Sequence, residues 1–247
     1  PAAFGGGNVD IRLKSIPKDF VWVVDSSIGS NTENSNDGLS YNGGDDDWYG
    51  RDDGTRGMPQ AIANVYNSGK SLDELSLEES RDLAMALNRD YDPKKESVNP
   101  NFGMGMALGN SFDLDSDWRA GFLSSLSYSN GSEVKEEYEG ELFSNTDQGP
   151  VSARAYDQID TTEYSVKWSA MFNLGLEFRK NHKVVYNGTM LNDTVDKVKD
   201  RLGFDENVNQ SDSLRIRSYD VSYEQRDLIA HQLRGTHTFP EWNFIGF

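Results

Sequence analysis

The sequence contains no cysteine, so a disulfide framework, a thiolate metal site and a cysteine nucleophile are all excluded. Basic residues are scarce: 24 Lys and Arg stand against 41 Asp and Glu, a formal net charge of -17. That balance argues against nucleic acid or an anionic bilayer surface as partner. It leaves solubility, or attraction of a cation or basic ligand, as its uses. No apolar run is long enough for a membrane helix, and neither a Walker loop nor an H-E-x-x-H motif occurs. These absences do not exclude a membrane barrel, whose strands show lipid only every second residue. The chain opens at Pro1 with no initiator Met and no signal segment. Trp242 to Phe247 reads as a strand just beginning, so the chain is expected to be a fragment.

What the sequence does have is alternation. From Glu163 to Arg179, Tyr164, Val166, Trp168, Ala170, Phe172, Leu174, Leu176 and Phe178 fall on one side. Ser165, Lys167, Ser169, Asn173 and Glu177 fall on the other, with Met171 the one apolar intruder. A period of two means β-strand. The same pattern predicts strands over Phe20–Ser30, Asn101–Leu114, around Phe122–Ser129, more weakly around Val184–Met190, and over Arg217–Phe239. The last blurs near Gln225–Asp227, where a bulge is expected. The one good helical stretch is Ser76–Leu87. Ser76 and Glu79 have capping-box spacing, and the helix falls inside a long connection.

Long and short connections alternate. The long ones are Asn31–Pro100, Asn130–Thr162 and Asn192–Ser213. The short ones are Asp115–Arg119, Lys180–Lys183 and Pro240–Asn243. An up-and-down sheet with tight turns at one end and elaborate loops at the other gives this rhythm, and outer-membrane barrels have it. A water-soluble antiparallel sheet also alternates. Strand length favours the membrane reading, because strands of globular proteins usually run about 5–6 residues. The small polar faces of the second and third strands suit a lumen wall. Phe20, Trp22, Tyr164, Trp168, Phe178 and Tyr223, near strand ends, suit interfacial girdles. The fold class expected is all-β: a partial antiparallel up-and-down transmembrane β-barrel with long extracellular loops, one carrying a short helix.

Several blocks resemble TonB-dependent outer-membrane receptors. Ala3 to Pro17, with Gly5-Gly6-Gly7 as a tight turn, is similar to the closing strand of their plug domain. Asp19-Phe20-Val21-Trp22 is similar to their first barrel strand. Asp47 to Pro59, with its D-G-x-R-x-x-P core, resembles a loop of one subgroup. Tyr223 to Leu228 and Gln232 to His237 resemble a strand of that subgroup. The resemblance implies that residues 1–17 close a plug. Residues 18–247 would then hold about six strands, and the start of a seventh, of a barrel of about 22. It also implies uptake of a scarce nutrient (iron chelate, cobalamin, glycan or similar) across the Gram-negative outer membrane. The partners would be the TonB energy-transducing complex, outer-membrane lipid and the nutrient, with no nucleic acid, no cofactor and no enzyme activity. The lipid-facing residues would be Trp22, Met104, Leu126, Trp168, Phe172 and Leu174. The lumen face would include Asp25, Ser125, Lys167, Asn173 and Glu177. On that assignment Leu174→Arg hinders assembly of the full-length parent in lipid and Asn173→Arg does not.

Other chemistry is thin. Asp45, Asp47, Asp52 and Asp53 crowd one loop as a weak candidate for a hard cation. The alternative is a solvated loop with Arg51 and Arg56 as internal counter-charges. His231 and His237 share a side of the last strand but stand too far apart for one metal ion. His182 is expected in an exposed turn. No catalytic residue stands out, and no residue can be assigned to ligand. Two further readings stay open. One is a soluble, secreted β-rich ligand- or glycan-binding module with Trp48 and Tyr49 as stacking surfaces. The other is a barrel-type surface hydrolase, which needs a serine with a base beside it.

Overall fold

The computed structural model describes residues 16–30, 38–87, 91–145, 149–205 and 215–239. The Gly5–Gly7 turn, most of the expected plug strand and the expected strand start after Pro240 lie outside these residues. The chain forms antiparallel β structure, with β1 (Val21–Gly29), β2 (Gly38–Ser40), α1 (Gln60–Ser68), α2 (Leu77–Ala86), β3 (Lys94–Glu96), β4 (Asn101–Asp113), β5 (Trp118–Asn145), β6 (Gly149–Phe178), β7 (His182–Asp205) and β8 (Ile216–His237). Six strands make one sheet in the order β1-β4-β5-β6-β7-β8, while β2 and β3 pair with each other. Neighbours along the chain are therefore neighbours in the sheet. Among the described residues β1 and β8 are its two open edges.

Two expected loops are strand instead. Asn130–Thr162 and Asn192–Ser213 were expected as long connections. In the structure β5, β6 and β7 run on through most of them to lengths of 28, 30 and 24 residues. The extension carries charge rather than apolar alternation, so the period of two disappears from the sequence. The backbone ladder does not depend on it. Cross-strand and same-strand ion pairs replace apolar pairs there, as in Lys197–Glu163 at 2.9 Å and Lys135–Glu133 at 3.1 Å. Register slips occur between Glu137 and Glu139, between Glu141 and Leu142, and between Tyr156 and Gln158.

The expected bulge at Gln225–Asp227 is absent. β7 and β8 pair without a slip from Gly203–Ile216 to His182–His237. Gln225 and Asp227 interrupt the apolar pattern for another reason, which is that they hold a loop. The Asp52 N–H donates to Gln225 Oε1, and Arg51 Nη1 donates to Asp227 Oδ2.

The turns explain the short end of the sheet. Between β4 and β5, Asp115 Oδ1 accepts from the N–H groups of Asp117 and Trp118, both at 2.8 Å. This is an Asx-type closure. Between β6 and β7, Arg179 and Lys180 both adopt left-handed backbone, with φ of 50° and 61°. They are the first two of three residues joining the Phe178–His182 pair, and with the Asn181 N–H donating to the Phe178 carbonyl at 3.2 Å they form a turn whose twist matches the strands. Asn or Gly usually fills these positions, so this turn is strained.

The connection from β1 to β4, described over residues 38–87 and 91–100, is elaborated at the other end of the sheet. The α2 helix is capped as expected: Ser76 Oγ accepts from the Glu79 N–H, and the Glu79 carboxylate accepts from the Ser76 N–H. The α1 helix has no side-chain cap, and Pro59 precedes it. Pro59 ends the D-G-x-R-x-x-P block, which makes that block the entry to a helix.

A bare apolar band and a latched loop

Register places the side chains of the sheet on two faces. Rows across the strands read Met106–Leu126–Ala170–Met190–Ile229 and Asn110–Phe122–Leu174–Tyr186–Leu233 on one face. Trp22 joins this face beside Leu108. Asp25, Ser125, Lys167, Asn173 and Glu177 all lie on the opposite face, as the alternation predicts. The apolar face is open: Leu126 retains 50% of its surface, Leu174 45% and Leu233 74%. Trp22, Met104, Leu126, Phe172 and Leu174 are all exposed there. The band crosses all six strands, and a contiguous exposed apolar patch of this kind marks a contact surface for protein or membrane.

Trp168 differs from the other five. It belongs to the same face, but Arg51 lies over its ring at 5.2 Å. It is a rim residue under a loop, not an open one. Asn173 also differs from expectation. It retains only 1% of its surface, and its Oδ1 has no hydrogen-bond partner. An arginine at Asn173 would meet packed neighbours, so the expected tolerance of Asn173→Arg is withdrawn.

Aromatic rows bound the band. At the short-turn end Trp118 packs on Phe178 at 4.7 Å between ring centroids. His182 sits against Phe178, His237 and Phe239. His182 is thus half-buried in an aromatic cluster rather than exposed in a turn, and its Nδ1 lies 3.1 Å from Nδ1 of His237. His231 is engaged separately, with the Tyr186 hydroxyl at 2.8 Å. At the other end Tyr128 and Trp168 face each other in register.

The opposite face is lined by Gly, Ser and Asn, and it receives the chain that precedes β1. A side chain at Gly121 would run into Ile16, and one at Gly109 would crowd Pro17 and Leu123. Arg119 Nη2 donates to the Lys18 carbonyl at 3.0 Å and to Ser111 Oγ at 2.6 Å. Small residues at 109 and 121 therefore admit a strand-entry segment close to the sheet backbone.

Beyond Tyr128 and Trp168, the connection after β1 folds down on the apolar face and buries it. Leu39 and Thr162 are fully covered, and the Leu39 N–H donates to Thr162 Oγ1 at 2.8 Å. Gly50 is the closest approach. Its carbonyl accepts from Thr194 Oγ1 at 2.8 Å and from Asn192 Nδ2 at 3.2 Å. Its φ is +76°, and a Cβ there would lie 2.7 Å from Asn192 Oδ1. Only glycine meets both demands.

Arg56 is the latch. It binds Asp47 through both terminal nitrogens, at 2.8 and 2.6 Å. Its Nε donates to the Tyr41 hydroxyl at 2.7 Å, and Nη2 reaches Asp196 at 3.2 Å. Its guanidinium lies 4.1 Å from the Tyr223 ring centroid. Burial opposes its charge, but Asp47 and Tyr41 outweigh burial and hold it firmly protonated. Burial pushes the Asp196 carboxyl up to about 6, against the pull of Arg56 and the Tyr41 hydroxyl. Burial also raises Tyr41, and it raises Tyr223 to about 12.

The acidic loop is accordingly not laid out for a cation. Asp47 and Asp52 are spent on Arg56. Asp53 accepts from the Thr55 hydroxyl and from the N–H groups of Thr55 and Asp45, which hold it down at about 2. Among the described residues no group of three His, Asp or Glu side chains could share a metal ion. Arg56 is the internal counter-charge expected of it, whereas Arg51 pairs outside the loop, with Asp227 of β8 at 2.6 Å.

The sequence did not single out Tyr41, Asn192, Thr194 or Asp196. A signal for the last three was present: polar residues at 192, 194 and 196 break an apolar face at a spacing of two, so something polar must dock there. No protein-family model, curated protein or solved structure matches this chain.

Proposed function

We propose that this chain is part of a TonB-dependent outer-membrane receptor. It would comprise the end of the plug and the first strands of the barrel, and the receptor would take up a scarce nutrient across a Gram-negative outer membrane. The observation that carries the reading is the bare apolar band between two aromatic rows. From Trp168 to Phe178 the band spans ten residues of β6, or about 33 Å of strand at roughly 3.3 Å per residue. Tilted by about 40°, it would rise about 25 Å, the height of the apolar band of outer-membrane barrels. The small polar face fits a lumen, and the approach of Ile16 and Pro17 to Gly121 and Gly109 fits a plug leaving that lumen. The latched connection falls on the far side of the upper aromatic row, where an outer loop belongs.

The reading has a requirement. Both open edges must find partner strands, because unpaired backbone groups in hydrocarbon cost several kcal/mol each. Nutrient would be caught by the outer loops and plug, then released inward when the TonB complex acts. The test is depth-resolved fluorescence quenching. Single-tryptophan variants of the whole receptor, retaining Trp22 or Trp48, are refolded into vesicles whose acyl chains are brominated. Strong quenching of Trp22 with little at Trp48 is expected. Equal quenching of the two, or none at Trp22, would overturn the proposal and favour a water-soluble binding module.

A further inference from the structure

The three histidines of the chain all stand on β7 and β8, on the face that carries the apolar band, and two of them meet. His182 and His237 are direct partners in register. One residue outside the pair, the Thr238 N–H donates to the Asn181 carbonyl at 2.8 Å. That bond makes the pair a non-hydrogen-bonded one, the kind in which facing side chains come closest. The two rings fill the gap, with Nδ1 of one 3.1 Å from Nδ1 of the other. From this pair we infer a binding site for a late transition-metal ion, copper(II) above all, that clips β8 to β7 at the short-turn end of the sheet.

The spacing suits a chelated ion. Imidazole nitrogens bind such ions at about 2.0–2.1 Å. Two bonds of that length spanning 3.1 Å meet at an angle of about 98°. The angle lies between the square-planar and tetrahedral values and nearer the first, which copper(II) prefers. As they stand, the rings share one hydrogen bond, in which one Nδ1–H donates to the other Nδ1. To bind the ion, the donor ring carries its proton on Nε2 instead, and no proton is lost from the pair. Each ring then turns about its Cβ–Cγ bond so that both lone pairs converge. The turn draws the ring centroids in from 5.3 Å by about 0.5 Å. His237 is exposed and has room for it. Gly235 beside it offers no obstacle, whereas a Cβ there would lie 3.1 Å from His237 Nε2. His182 is braced between Phe178 and Phe239, with ring centroids 6.1 and 5.3 Å away.

Donor chemistry selects the ion. Both donors are imidazole nitrogens, and among the described residues no third His, Asp or Glu side chain joins them. Water therefore completes the coordination, and the ion is exchangeable. Calcium and magnesium need several oxygen ligands and find none from side chains here. Affinity of nitrogen sites for divalent ions peaks at copper(II), with nickel(II) and zinc(II) below it. Arg179 lies over Phe178 at 5.0 Å, but it pairs with Asp117 at 3.2 Å, which counters its charge. His231 takes no part, because the Tyr186 hydroxyl engages its Nδ1. The inference rests on the register of β7 and β8 and does not depend on the receptor reading.

The experiment titrates the full-length protein with copper(II), zinc(II) and calcium chloride by calorimetry, and records the electron paramagnetic resonance spectrum of bound copper(II). His182→Phe and His237→Phe each keep an aromatic ring in the cluster and remove one donor, while His231→Phe is the control. Copper(II) is expected to bind with a two-nitrogen hyperfine pattern, zinc(II) more weakly, and calcium is expected not to compete. Losing a partner outside the coordination shell already costs about 10- to 100-fold in metal affinity, so losing either ring should cost at least about tenfold. His231→Phe should bind as the parent does. Copper(II) should also raise the thermal midpoint of the parent and of His231→Phe, but not of the two paired variants. No copper(II) binding, binding equal in the parent and both paired variants, or displacement by calcium would overturn the site, and the two rings would then serve only as a cross-strand hydrogen bond.

Discussion

Replacing Leu174 with arginine asks which solvent covers the apolar band. Leu174 lies four residues from Phe178 and six from Trp168 on β6, close to the middle of the band, and keeps 45% of its surface exposed. Where water covers that surface, a long charged side chain can extend into it, and the change stays within about 0.5 kcal/mol. Where hydrocarbon covers it, arginine near the midplane costs about 2–4 kcal/mol. At about 1.4 kcal/mol per tenfold, that lowers the folding equilibrium by about 30- to 700-fold. The control is Ser125→Arg. Ser125 pairs with Met171 at nearly the same height, but its side chain is on the small polar face. Urea unfolding of the whole receptor in phospholipid vesicles, followed by gel mobility with and without heating, measures both variants. Leu174→Arg should shift the midpoint strongly and Ser125→Arg by little. A Leu174→Arg chain that folds in vesicles like the parent refutes the reasoning. So does an equal loss in lipid-free buffer, which would place protein rather than hydrocarbon against Leu174.

Three further outcomes are expected. Gly50→Ala introduces a Cβ at positive φ against Asn192 and Thr194 and should cost about 2–3 kcal/mol. The released loop would increase accessibility at Trp168, read by acrylamide quenching. Lys180→Gly relieves a left-handed non-glycine residue and should raise stability by about 1 kcal/mol in a denaturant titration. Asp196 makes the latch pH-dependent. Burial raises its carboxyl from 3.8 to about 6, so between those values the folded chain holds a proton that the unfolded chain has released. Its contribution is therefore full below pH 3.8 and is lost as pH rises to about 6, a change of about 3 kcal/mol. The difference between parent and Asp196→Asn, measured in detergent from pH 3.5 to 7, should follow that course. A difference that does not vary with pH would contradict it.

The alternation in Glu163–Arg179 and in the five other alternating segments was sufficient for strand type, for the two faces and for six strands in chain order, because side-chain direction in a strand repeats every two residues whatever the strand packs against. The α2 cap was legible for a similar reason: Ser76 and Glu79 satisfy each other within one turn. Interactions of that kind are local and need no partner from elsewhere. The lengths of β5, β6 and β7 were not legible, because beyond the band their ladders are held by backbone bonds and charge pairs that leave no period in hydrophobicity. Nor was the latch. Arg56 meets Asp196 across 140 residues and Gly50 meets Thr194 across 144, and a single sequence carries no record of such distances. The polar residues at 192, 194 and 196 read as the start of a loop, and those at 225 and 227 as a bulge in a strand. Only the tertiary structure showed them to be one docking surface, because register aligns β7 with β8 and sets the loop over both.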